Sequence, residues 1–544
     1  MEKPGTIPVK RLLTCGNVVH VMWTRETRGK IPFTCTTPGV RLSPSRQSPA
    51  LRLVFNSLGP VTHNPGRVGA VTAIAVYWFL PVRTLSQVRA PTGRLPGAGP
   101  RPDAVDGHRS RDREILRLAV PAFLALVAEP LFLLADAAIV GHLGTPELAA
   151  LGIAGAVVQT VVGLCVFLAY GTTASVARRV GAGDTREALT QGVDGVWLAV
   201  LIGVLTTVLA VPLSSFLVGL FGPDAEVAGH ATTYLRLALL GVTPLLVMLA
   251  ATGVLRGLQD TRTPLVVAVV GNVANIGLNV LLVFGLDLGI AGSALGTDLS
   301  QLGSAVAFVA VVVRAARREG ASLRPDLPGV RRAAHAGLAL VVRTLTLRAS
   351  LLVATYGAAT LGATAVATHQ LALTIWTFLA FALDAIAIAA QALTGRSLGA
   401  GDVAGTRVVT RRMVQWGLLS GVVTGLALAT VSPVLGRLFT EDQAVRDLLV
   451  PVLLVAAVFQ PVAGVVFVLD GVLIGAGDGR YLAWGGVVVL AVFAPFALLA
   501  VRVVPGAGPG LTLLWLSFGV AFIGSRAVVL LHRARGSAWM VTGR

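Results

Sequence analysis

The sequence predicts an all-α polytopic membrane protein of twelve transmembrane helices, arranged as two six-helix lobes related by a pseudo-two-fold axis along the membrane normal. Three observations lead there. The composition is too apolar for water, the loops between long apolar runs alternate in arginine content, and one half of the chain repeats the other at a fixed offset of 218 residues.

The first observation rests on charge. Of 544 residues, 55% are hydrophobic and 13% charged, and the mean hydropathy is +0.79. Soluble domains carry about 25% charged residues, so a chain of this size could not keep itself in solution. The basic excess does not point to nucleic acid. Residues 1–110 hold 15 Lys and Arg against 4 acids, and the remainder holds 29 against 22, most of them in short loops. No nucleic-acid partner is expected. Cys15, Cys35 and Cys165 offer neither a disulfide framework nor metal-ligand spacing.

Residues 1–110 are rich in Arg, Pro, Ser and Thr and show no sustained period. They are expected to be disordered and to play no part in transport, because they cannot bury enough apolar surface to offset chain entropy. The run from Val71 to Val82 is too short to span a bilayer and is broken by Pro81. Two origins stay open for this basic extension: translated upstream sequence from an over-long gene model, or an organellar transit peptide.

From Arg111 onward, apolar runs of spanning length recur. In the first half they lie near 115–140, 147–172, 189–218, 227–255, 264–286 and 292–316. In the second they lie near 332–357, 365–393, 407–435, 445–473, 481–502 and 510–532. The organisation is thus a lobe over 111–320 and a lobe over 321–544, the latter ending in a short tail. Arg178, Arg179, Arg186, Arg256, Arg262, Arg396, Arg407, Arg411, Arg412 and Arg480 all fall in loops of one parity, whereas the opposite loops hold Arg437, Arg446 and Arg502. Basic residues in short loops stay on the cytoplasmic side. Both termini are therefore expected in the cytoplasm, and the Ala-, Gly- and Arg-rich, Lys-poor composition points to a bacterial inner membrane.

The repeat is the strongest internal signal. Leu143-Gly144 returns as Leu361-Gly362, Gly181-Ala182-Gly183-Asp184 as Gly399-Ala400-Gly401-Asp402, and Phe221 as Phe439. Gly253-Val254-Leu255 returns as Gly471-Val472-Leu473, followed by Gly257, Asp260 and Arg262 as Gly475, Asp478 and Arg480. Six spans per half start both halves on the same side, which gives an axis along the membrane normal and places substrate between the lobes.

Three stretches carry a family resemblance: Ala128–Ala150 (AEPLFLLADAAIVGHLGTPELAA), Gly253–Pro264 (GVLRGLQDTRTP) and Leu383–Asp402 (LDAIAIAAQALTGRSLGAGD). The chain resembles the DinF-like branch of the multidrug and toxic compound extrusion (MATE) family over residues 111–535. The resemblance implies a secondary antiporter that exports small organic compounds, often cationic or amphipathic, and it implies an ion-coupling carboxylate on the first helix, here Asp136. It also implies partners on helices five and six at Asn275, Asn279 and Thr297. Asn279 stands where related members carry a second carboxylate, which favours a proton over sodium as coupling ion.

A carboxylate inside a bilayer faces a cavity or is protonated part of the time. Glu129 lies seven residues before Asp136 on about the same helical face; it extends a proton path or pairs with an arginine such as Arg236. Pro130 is expected to bend this helix. Asn272, Asn275 and Asn279 form one stripe, and Ser293, Thr297, Gln301 and Ser304 a second, with Asp298 off that stripe in a structural pairing. Asp384 is a candidate second-lobe site or the partner of Arg343 or Arg348, and Asp470 is expected near a helix end. His335 and His369 lack metal-ligand spacing.

No His-Glu-x-x-His, Gly-x-Ser-x-Gly or Gly-x-x-x-x-Gly-Lys motif occurs, so neither an enzyme nor a nucleotide-driven pump is expected. The expected cofactor is none beyond the proton or sodium ion, and the expected partners are a small-molecule substrate and the lipid bilayer, with the chain acting as a monomer. A lipid-linked precursor flippase of the same superfamily is the alternative. It would need a phosphate-binding cluster in the cavity, for which Arg236, Arg343 and Arg348 are the available cations.

Overall fold

The computed structural model describes the backbone of residues 12–15, 18–21, 104–504 and 506–543, with side chains from residue 111 onward. Leu12–Cys15 and Val18–Val21 pair antiparallel, Leu12 opposite Val21. This short ladder falls in a stretch expected to lack regular structure; Val18, Val19 and Val21 are β-branched and suit an extended backbone. The apolar run at Val71–Val82 lies outside the described residues.

The body consists of α1 (Ala104–Gly141), α2 (Thr145–Gly181, interrupted at Val166), α3 (Thr185–Gly219), α4 (Ala225–Ala238 and Val242–Gly257), α5 (Arg262–Gly285) and α6 (Gly289–Arg318). These six form the N-lobe. The C-lobe contains α7 (Leu327–Thr360), α8 (Ala363–Gly399), α9 (Val403–Leu438), α10 (Gln443–Gly475), α11 (Gly479–Val503) and α12 (Ala507–Arg535). Among the described residues, eleven helices are long and apolar enough to cross a membrane singly, and α4 does so as a pair bent by 48°. Twelve spans result, as the sequence predicts. Apolar side chains such as Leu201, Val208, Val273 and Leu426 point outward, which suits lipid rather than water.

The repeat is visible in the helix starts. Thr145 and Ala363, Thr185 and Val403, Ala225 and Gln443, and Gly289 and Ala507 are each 218 residues apart. Its chemistry lies in helix punctuation. Gly183 and Gly401 take φ of +79° and +74°, a conformation that glycine adopts without strain. Asp184 and Asp402 then cap α3 and α9 by accepting from the backbone N–H of Glu187 and Gly405. Asp224 and Asp442 cap α4 and α10 in the same way.

The two lobes meet most closely at the end carrying the arginine-rich loops. Gly181 packs against the Arg396 carbonyl, and Gly399 packs against that of Arg178, so tightly that a Cβ at either position would overlap the oxygen. Arg178 Nη1 donates to the Ala476 carbonyl at 2.9 Å, and Arg396 Nη1 donates to Gln259 at 2.6 Å and Glu114 at 3.3 Å. Asp112 at the start of α1 binds Arg412 of α9 at 2.7 and 2.6 Å and accepts from Trp416 Nε1 at 2.9 Å. Slightly deeper, Gln391 of α8 donates to the Tyr170 carbonyl of α2 at 2.6 Å. Above that level α1 touches α8 through Ala122, Phe123 and Leu126 against Ala385 and Ile388.

Candidate ion-coupling site

A buried polar cluster in the N-lobe is built by α1, α4, α5 and α6. Asp136 sits five residues before the end of α1 and is 4% exposed. Asn279 Nδ2 donates to its Oδ1 at 2.7 Å, and Ser293 Oγ donates to the same oxygen at 2.8 Å. The Asn279 amide also donates to Asn275 Oδ1 at 3.1 Å, and Asn275 Nδ2 donates to Thr297 Oγ1 at 2.9 Å. The Tyr234 hydroxyl lies within hydrogen-bonding reach of both Asp136 and Ser293. The chain Thr297–Asn275–Asn279–Asp136 is thus continuous and buried.

This cluster brings together all four residues that the resemblance implies as ion-coupling. The spacing explains how: Asn275 and Asn279 are one turn apart on α5, and Ser293 and Thr297 one turn apart on α6, so each pair presents one face to α1. Gly296 makes the close approach possible, because a Cβ there would overlap Asn279 Oδ1. Asn272 extends the stripe and ties α5 to the Ala128 carbonyl of α1 at 3.0 Å. Ser293 was legible as part of a stripe, although not as a direct partner of Asp136. Tyr234 carried no signal: it comes from α4, where no periodic relation links it to the other three helices.

Within the cluster, Asp136 is the sole carboxylate among neutral donors, and a charge so placed is satisfied only through hydrogen bonds. Asn279 Oδ1 is buried with no hydrogen-bond partner. The site therefore holds one carboxyl group with one spare acceptor beside it.

The remaining candidates lie elsewhere. Glu129 stands outside the cluster, exposed, and hydrogen-bonds to Gln159 of α2. It does not pair with Arg236, which instead donates to Ser214 at 3.0 Å and Ser215 at 3.2 Å. Asp384 shares a charged neighbourhood at the lobe junction with Tyr170 and Arg256 of the N-lobe and Arg343 of its own lobe. The ion pair expected between Arg343 and Asp384 forms with Asp470 instead. Arg343 Nε donates to Asp470 Oδ1 at 3.2 Å, its Nη2 contacts Oδ2, and Arg526 Nη2 reaches Oδ2 at 3.3 Å. Asp470 is therefore a buried hub between α7, α10 and α12 rather than a helix terminator. Its two arginines lie on helices whose adjacency the sequence does not disclose. Arg348 packs against Gly163 of α2, and Asp298 lies against Gly241 at the bend of α4. Of the cations available to a phosphate-binding cluster, Arg236 and Arg343 are engaged by local partners.

Comparison with known proteins agrees with this architecture. The chain is 35% identical over 405 residues to Protein DETOXIFICATION 44, chloroplastic, of Arabidopsis thaliana, covering 71% of this chain and 76% of that one. It is 30% identical over 378 residues to DNA damage-inducible protein F of Escherichia coli, covering 68% and 80%. Against a probable multidrug resistance protein NorM of Thermotoga maritima the identity is 27% over 376 residues, covering 67% and 80%. Among solved structures, a MATE protein in its straight conformation superposes with a TM-score of 0.72 at 23% identity, covering 79% of this chain and 97% of that one. A Vibrio cholerae MATE transporter gives 0.73 at 22%, covering 80% and 99%. The MatE family matches twice, over residues 121–281 and 339–499, and these segments are the two halves of the 218-residue repeat. The chain is a multi-pass membrane protein and belongs to the MatE family.

Proposed function

We propose that this chain is a proton-driven antiporter that exports small organic compounds, many of them cationic or amphipathic, with Asp136 as the coupling carboxylate. The observation that carries the reading is the composition of the buried cluster: one carboxylate, neutral amides and hydroxyls, and a spare acceptor at Asn279 Oδ1. Sodium is held best by several hard oxygens with net negative charge, as hard cations generally are. A proton needs one carboxylate and, once bound, an acceptor for the new O–H. A turn of the Asn279 amide would supply it.

Two further features support export by alternating access. The lobes are related by the repeat axis and meet through reciprocal contacts at one end, which suits rocking about a central substrate site. The Arg-rich loops at that end favour a cytoplasmic placement for it, so the described conformation is closed toward the cytoplasm. α1 joins the two tasks: it buries Asp136 within the N-lobe, and Glu129 emerges from it seven residues earlier, with Pro130 between. Protonation of Asp136 would then alter a helix that also borders the substrate path. No nucleotide-binding loop is available, since the only lysines are Lys3, Lys10 and Lys30, so an ion gradient is the energy source.

The test is reconstitution into proteoliposomes, with export driven by a proton gradient or a sodium gradient imposed separately. Export under the proton gradient alone, abolished in Asp136→Asn, supports the reading. Export that follows sodium, or an Asp136→Asn protein that still exports uphill, overturns it.

A further inference from the structure

The repeat that builds the N-lobe cluster has a counterpart in the C-lobe, and its content is different. At the 218-residue offset, Asp136, Asn275, Asn279, Ser293 and Thr297 correspond to Ala354, Phe493, Ala497, Leu511 and Trp515. All five replacements are buried, and none is a carboxylate, amide or hydroxyl. The C-lobe lacks the polar set and holds a small cavity beside two of these positions, lined by Ala354 of α7, His369 and Leu373 of α8, and Leu514, Trp515 and Phe518 of α12.

Two polar atoms at this cavity are orphaned. His369 Nδ1 and Trp515 Nε1 are buried without a hydrogen-bond partner among the described residues, although His369 is 2% exposed and Trp515 likewise 2%. An unsatisfied buried polar atom costs about 1–3 kcal/mol, so two of them beside one cavity call for a shared explanation. Their rings are 5.7 Å apart between centroids.

The tautomer of His369 follows from its other nitrogen. Thr355 Oγ1 donates its proton to the Leu351 carbonyl at 3.1 Å. Its contact with His369 Nε2 at 3.3 Å therefore has the imidazole N–H as donor and the hydroxyl oxygen as acceptor. That leaves Nδ1 with a free lone pair, while the indole Nε1–H is a free donor. One water molecule answers both, accepting from Trp515 and donating to His369, and the cavity is of the order of one water in size. No carboxylate, arginine or other histidine lines the cavity from α7, α8 or α12, so a proton gained at Nδ1 would be balanced through the bridging water and Thr355 alone.

We propose that His369 and Trp515 form a second proton-binding site in the C-lobe, beside the repeat positions of Asp136 and Thr297, in which a single bridging water delivers a proton to His369 Nδ1. The proton arrives as hydronium on the bridging water: one of its O–H bonds breaks as the Nδ1–H bond forms, neutral water is left in place, and the imidazolium keeps its Nε2–H on Thr355. The two lobes then use different acids, a carboxylate in one and an imidazole in the other, contributed by helices that are not repeat equivalents. This deepens the proton-coupled reading and rests on it.

The experiment counts protons. Proteoliposomes loaded with a pH-sensitive dye and supplied with ethidium report protons moved per cation exported. His369→Gln keeps a donor toward Thr355 and removes the basic lone pair, and it is expected to move one proton fewer per ethidium than the parent protein. His369→Asn serves as the second variant if the first does not fold. A proton count equal to that of the parent in either folded variant overturns the site. In parallel, histidine-selective nitrogen NMR of the parent protein in nanodiscs is expected to show His369 passing from the Nε2–H tautomer to imidazolium on acidification. A resonance that stays neutral until the protein unfolds also overturns it. Asp136→Asn separates the two proposals: coupling lost there with a normal count in His369→Gln leaves only the first site, and the converse leaves only the second.

Discussion

Gly399 at the end of α8 lies in direct contact with the Arg178 carbonyl at the end of α2, with no space for a side chain between them. The repeat axis turns this contact into the one between Gly181 and Arg396. A Cβ at Gly399 would force the two lobes apart at this end, at a cost of about 1–3 kcal/mol for overpacking. Gly399→Val is therefore expected to shift the population toward the conformation open on the arginine-rich side by about tenfold or more. Spin labels at Arg186 and Ala404, which stand at equivalent positions on α3 and α9, would read a longer distance. An unchanged distance distribution would show that this contact does not hold the lobes closed.

Asp136→Asn removes the ionisable group and retains the shape and the hydrogen bond from Ser293. For a typical coupling free energy, proton binding changes substrate affinity by about 5–150-fold. That difference between acidic and neutral pH is expected to vanish in the variant. Its thermal unfolding should match or exceed the parent, because a neutral amide is easier to bury than a carboxylate.

Asn279→Asp places a second carboxylate beside the first. Two close carboxylates favour a bound cation over two free negative charges. Sodium is expected to raise the melting temperature of this variant and to restore part of its export, with no such response in the parent. A variant indifferent to sodium would mean that the cluster is shaped for protons alone.

Asp470 compensates two buried guanidinium groups, with Arg343 and Arg526 both close to fully enclosed. Removing one partner of a buried ion pair costs about 3–5 kcal/mol. Asp470→Asn is expected to lie in that range by thermal or denaturant unfolding in detergent. Arg343→Met should cost less, because Arg526 stays paired with Asp470 and packs over Phe467 and Phe522 at 5.9 and 5.6 Å.

Periodicity and the repeat made the twelve spans legible, because apolar length and punctuation by Gly-Asp are local properties. The Asn275–Asn279 and Ser293–Thr297 stripes were legible for the same reason: a one-turn spacing places two side chains on one face whatever lies opposite. Long-range adjacency was not. The repeat offered no template for Asp470, whose N-lobe equivalent is the uncharged Thr252, and Arg343 and Arg526 likewise map onto Ala125 and Phe308. Tyr234 enters the Asp136 cluster from a helix broken at Gly241, and the direction of a helix after such a break is a tertiary property. The 1–110 extension remains largely outside the described residues.

The reciprocal seating of Gly181 on Arg396 and Gly399 on Arg178 has the form of an isologous dimer interface, in which each half offers the same patch to the other. The halves are thus complementary as surfaces and are not held together merely by being one chain. A nick in the segment between Arg318 and Leu327 would leave those glycine contacts untouched, so two separately synthesised halves are expected to associate.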